Sequence, residues 1–87
     1  MMKKSYKIID ETGLHARPAT LLVQEAAKFK NDIAIEYNGN LLTMKSIMAV
    51  LSLGVPQNAT ITIHVDGEDA EVVFAALEQI LAKHQLI

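Results

Sequence analysis

The 87 residues, 51% of them hydrophobic, suffice for one core, and a single domain over residues 1–87 is expected. Cysteine is absent, which excludes disulfides, thiolate metal sites and cysteine nucleophiles. The net charge of −2, with Arg17 the only arginine, leaves no basic stripe of the kind that grips nucleic acid. Aromatic residues are only 5%, so Ile, Leu, Val and Ala must fill the interior. Lys3 and Lys4 resemble the start of a signal peptide, but Ser5-Tyr6-Lys7 interrupts any apolar run. No stretch approaches membrane-spanning length. A cytoplasmic location without membrane insertion is expected.

In chain order, Ser5 to Ile9 reads as a strand, with Tyr6 and Ile8 alternating against Ser5 and Lys7, and Asp10-Glu11-Thr12-Gly13 ends it. A helix is expected from about Arg17 to Lys28, with Ala19, Val23, Ala26 and Ala27 at helical spacing. Ile33, Ile35 and Tyr37 alternate as a strand. Asn38-Gly39 then gives a strong hairpin signal, because both residues tolerate positive φ, and the strand returns over Asn40 to Met44. Ser46 reads as the N-cap of a short helix that Gly54 closes. Thr60 to Asp66 is a strand with Ile61, Ile63 and Val65 on one face. Asp69 to Lys83 is the longest helix, with Val72, Val73, Ala76, Leu77, Ile80 and Leu81 expected to face the core. The order β-α-β-β-α-β-α contains the split βαβ arrangement. It predicts an α+β open-faced sandwich, a four-stranded antiparallel sheet with three helices on one face.

Chemistry concentrates in Thr12-Gly13-Leu14-His15-Ala16-Arg17-Pro18-Ala19-Thr20. Pro18 suits the first turn of a helix and disfavours helical angles at the residue before it. His15 therefore stands just ahead of a helix start, where the amides of Ala16 and Arg17 lack helical partners and favour an anion. The Arg17 guanidinium can hold phosphate oxygens through paired hydrogen bonds. A neutral imidazole is a competent nucleophile near neutral pH, and surrounding positive charge stabilises a phosphoryl group attached to it. The sequence offers no carboxylate pair, metal-ligand cluster or Ser/His/Asp arrangement, so a stand-alone enzyme, a metal site or a cofactor is not expected.

Residues 13–20, Gly-Leu-His-Ala-Arg-Pro-Ala-Thr, resemble the active-centre signature of the HPr family, the histidine-containing phosphocarriers of the bacterial phosphoenolpyruvate:sugar phosphotransferase system. Lys45-Ser46-Ile47-Met48, Ser52-Leu53-Gly54-Val55 and the Glu36-Tyr37-Asn38-Gly39 hairpin are similar to other parts of the family pattern, in its Gram-positive form. The resemblance covers nearly the whole chain. It implies that Enzyme I, drawing on phosphoenolpyruvate, phosphorylates His15 at Nδ1, and that His15 passes the group to IIA domains of sugar permeases. Arg17 would bind phosphate oxygens.

By the same resemblance, HPr kinase/phosphorylase would modify Ser46, slowing phosphorylation of His15 and recruiting the catabolite control repressor. A phosphoserine adds roughly −1.5 to −2 charges. The helix from Ile47 to Leu53 is apolar on nearly every side. Val50 and Leu53 are expected to be buried, while Ile47, Met48 and Leu51 serve a docking patch edged by Thr20 and Gln24. Ala49 stands where relatives often carry Gly, and Pro56-Gln57 and Leu41 to Met44 also depart from the family pattern. No second large apolar face suggests an oligomer, so a monomer is expected. His64 and His84 show no recognisable partner. An RNA-recognition module shares the element order but needs stacking aromatics and a basic surface, which this chain lacks. A purely regulatory paralogue would have lost the histidine that this chain retains.

Overall fold

Alternation is strongest over Thr60–Val65, and that strand lies inside the sheet. The computed structural model describes residues 1–87 and contains β1 (Met2–Lys7), α1 (Ala16–Ala26), β2 (Ile33–Tyr37), β3 (Asn40–Thr43), α2 (Ile47–Ser52), β4 (Thr60–Val65) and α3 (Ala70–Lys83). The sheet order is β1-β4-β2-β3, antiparallel throughout. This is the expected open-faced sandwich.

Ile61, Ile63 and Val65 of β4 stand opposite Tyr6, Lys4 and Met2 of β1, and Ile63 and Val65 stand opposite Ile35 and Ile33 of β2. All five aliphatic side chains on β2 and β4 are buried beneath the helices. Each such side chain contributes roughly 1.5–3 kcal/mol by leaving water. The hairpin turn has φ +53° at Asn38 and +83° at Gly39, as a twisted two-residue connection requires.

Several expectations shift. β1 starts at Met2 and stops before Ile8, which is fully buried beyond the strand and exchanges backbone bonds with Asn58 and Ala59 at 2.6 and 2.8 Å. Lys4 lies on the same side of β1 as Met2 and Tyr6 but stays exposed at the edge of the sheet. Its ammonium lies 5.3 Å from the Phe74 ring centroid and 3.4 Å from Glu78, while the Tyr6 hydroxyl donates to Glu78 at 2.7 Å. Burial first, then the Glu78 carboxylate, pushes the Tyr6 hydroxyl far above its ordinary range. On α1, Ala27 lies past the helix and is exposed, and Leu22 takes the core position. On α3 the buried stripe is Ala70, Val73, Phe74, Leu77 and Leu81, leaving Val72 exposed. Leu53, expected inside, is only half-buried because the helix is short.

No helix is long and apolar enough to cross a membrane.

Candidate phosphoryl-acceptor site

The segment before α1 is held by main chain. Gly13 N–H donates to Asp10 O, and Leu14 N–H donates to Val55 O, both at 2.9 Å. Gly13 adopts φ +68°, and a Cβ there would strike the Val55 carbonyl and lie 2.9 Å from Pro56 Cα. Only glycine fits such a position, which is why the loop can lie flat against residues 55 and 56. Leu14, Pro18 and Ala19 are buried, anchoring the segment on both sides of an exposed His15.

His15 is the N-cap of α1, with φ −82° and ψ −175°, and its side chain makes no capping hydrogen bond. Its carbonyl accepts from Ala19 N–H at 3.0 Å, so its backbone belongs to the helix while its ring does not. The amides of Ala16 and Arg17 find no backbone acceptor and sit at the positive end of α1. Arg17 is exposed and forms no ion pair. An unbonded imidazole, free amides and an unpaired guanidinium thus all lie at the start of α1.

An open hollow of about 250 Å³ joins His15 and Arg17 to Asp10, Leu21, His84 and Leu86, with Pro18 against its wall. The Thr12 hydroxyl and amide donate to Asp10 Oδ1 at 2.6 and 2.9 Å. These bonds hold the Asp10 carboxyl below the usual carboxylate range, and the His15 charge adds a smaller pull. Sequence reasoning missed His84 as a neighbour of His15, since no local spacing links the end of α3 to this loop, and it read Asp10 only as part of the turn. No cluster of three or more His, Cys, Asp or Glu is placed to hold a metal ion.

The docking residues divide. Ala16, Thr20 and Gln24 follow one another at helical spacing along α1, with Thr20 Oγ1 donating to Ala16 O at 2.7 Å. α1 packs on α2. Met48 is 77% exposed and Ile47 37%, whereas Leu51 is half-buried against the core. Ser46 is the N-cap of α2, its hydroxyl accepting from Ala49 N–H at 3.2 Å. Lys45 beside it donates to Phe29 O at 2.7 Å, tying the start of α2 to the segment after α1. His64, expected to be without a partner, bonds Glu36 Oε1 at 2.8 Å across the outer sheet face.

The family model for the PTS HPr component phosphorylation site matches residues 2–83. The chain belongs to the HPr family. Its function is that of the HPr phosphocarrier of the phosphotransferase system. The histidine-containing phosphocarrier protein of Mycoplasma is 41% identical with a TM-score of 0.95, the match covering 99% of this chain and 98% of that one. Phosphocarrier protein HPr from Bacillus anthracis is 42% identical with a TM-score of 0.82, over 91% and 94% of the two chains. The Bacillus subtilis catabolite repression protein Crh, described as a swapped dimer, is 35% identical with a TM-score of 0.73 over 95% of each chain.

Proposed function

We propose that His15 is the residue that carries the phosphoryl group, within a single domain formed by all 87 residues. The observation that carries this reading is the exposed, unbonded His15 ring at the start of α1, beside the free amides of Ala16 and Arg17 and the unpaired guanidinium. Neutral Nδ1 attacks phosphorus of phosphorylated Enzyme I. As the bond to the donor breaks, the phosphoryl oxygens pass to the two amides and Arg17. A IIA domain of a sugar permease then attacks the same phosphorus, and the N–P bond to His15 breaks. The chain returns unchanged, a carrier whose chemistry is completed by its partners.

Thr20, Gln24, Ile47, Met48 and the exposed edge of Leu51 form the surface that partners cover. Exposed Met48 supports this, since a flexible thioether side chain adapts to several partners. Ser46 is the regulatory position, modified by HPr kinase/phosphorylase. Its phosphate changes the charge of the docking surface, repels an acidic Enzyme I face and presents a dianion to the catabolite control repressor. The protein works in the cytoplasm as a monomer, without metal or cofactor.

The deciding measurement is intact mass after incubation with Enzyme I and phosphoenolpyruvate. The wild type gains one acid-labile phosphoryl group and His15→Ala gains none. A folded wild type that gains nothing overturns the reading and leaves the Ser46 switch as the function.

A further inference from the structure

Four residues that the signature does not contain, Asp10, Leu21, His84 and Leu86, line the hollow shared by His15 and Arg17. Of these, His84 is set there by a built device. α3 ends at Lys83 with His84 as C-cap, and Gln85 turns the chain through φ +57°. Leu86 N–H then reaches back to Leu81 O at 2.8 Å, in the pattern of a left-handed helix terminator. Leu86 is 1% exposed, and its carbonyl accepts from Ile9 N–H at 2.8 Å. The end of α3 is thus pinned to the very loop that presents His15. His84 itself remains half-exposed, and no hydrogen bond occupies its ring.

A histidine in the last turn of a helix has an ordinary use, as a cation near the unpaired carbonyls. Here His84 borders a hollow in which a phosphoryl dianion would form, and the negative end of the α3 dipole opposes it. A proton on His84 offsets both. The other groups bearing on the ring are Asp10 from the loop after β1, His15 and Arg17 at the start of α1, and Lys83 on α3 itself. Glu11 lines the adjoining hollow with Asp10 and Gln85. Arg17 carries its charge at every relevant pH, so His84 is the group of this wall whose charge can follow the state of His15.

We infer that His84 is a second hydrogen-bond donor to a phosphoryl group on His15, charged when that group is present, and that it makes the phosphorylation equilibrium depend on pH. The inference rests on His15 as the acceptor. Adding a dianion beside an imidazole raises its proton affinity. By linkage, a bound proton then raises the affinity for the phosphoryl group by the same factor.

The test is an NMR titration of the His84 and His64 rings in the free chain and in the chain kept phosphorylated by Enzyme I and excess phosphoenolpyruvate. The His84 midpoint is expected to rise by about one pH unit, a tenfold change in proton affinity. His64, bonded to Glu36 on the outer sheet face, moves by less than about a fifth of that. Relative to His84→Gln, wild type then favours the phosphorylated state up to about tenfold at about pH 6 and little at about pH 8, whereas His84→Arg keeps the advantage at both. If the His84 midpoint stays fixed on phosphorylation and His84→Gln follows wild type at every pH, the inference falls while His15 keeps its role. If wild type takes no phosphoryl group at all, both fall.

Discussion

Two helices of this molecule begin in opposite ways. At the start of α2, Ser46 turns its hydroxyl back to Ala49 N–H and satisfies the helix from within. At the start of α1, His15 occupies the same structural position and leaves its ring unbonded. Serine is among the best N-caps and histidine is not, so the α1 start gives up about 1 kcal/mol of local stability. What it gains is a set of donors with nothing yet bound to them, next to the imidazole proposed as the acceptor. On that proposal the contrast separates a helix end that serves the fold from one that serves chemistry. It also explains how the two neighbours can influence each other, because Lys45 ties the α2 start to Phe29 and α1 packs on α2.

The contrast breaks most visibly at His15→Ser. Phosphoryl uptake from Enzyme I should vanish, while thermal unfolding shows a gain of about 0.5–1 kcal/mol as the new hydroxyl caps α1. A stability loss would mean that the His15 ring holds the fold together after all. Next comes Gly13→Ala, which forces a side chain into the left-handed region and onto the Val55 carbonyl. A loss of roughly 2–4 kcal/mol is expected in urea unfolding, with slower uptake at His15 in whatever remains folded.

Ser46→Ala should cost about 1 kcal/mol and leave uptake at His15 near wild type. Ser46→Asp should keep most of that stability, since Asp caps as well as Ser, and slow His15 phosphorylation. Equal rates for wild type and Ser46→Asp would show that the two helix starts act independently.

The smallest effect lies in the Asp10 turn. Its carboxyl is held below the ordinary range by Thr12, so its contribution is present above the unfolded pKa and lost as pH falls through the folded one. Asp10→Asn should therefore flatten the most acidic part of a plot of Tm against pH and leave the neutral region nearly unchanged. An unaltered acid limb would remove this turn from the features that hold the α1 start.

Much of this was readable from local pattern. The alternation of Ile61, Ile63 and Val65, the Asn38-Gly39 turn and the Ser46 cap are all decided within a few residues of themselves, and the structure has each where expected. The joining of His15, Arg17 and the free amides was legible for the same reason. Other features depend on what the chain meets at long range. Val72 turns outward because Phe74 claims the wall of the core. His64 gains its partner from a strand far away in sequence, and His84 reaches the His15 hollow only because Leu86 fastens onto Ile9. No short window of sequence contains both halves of these pairs.

The strand order has a further consequence for the growing chain. β1 pairs with β4 alone, over Met2 to Lys7 against Val65 to Thr60, so the first strand of this sheet to be made waits for the last. The carbonyl of Val55, which fixes the bend at Gly13 and Leu14, is also made well after the loop it holds. A nascent chain can therefore display the whole Gly13–Thr20 signature before the loop that carries it has its partner at Val55. The bend at Gly13 and Leu14 can form only once Val55 is available, and β1 is paired only once β4 is.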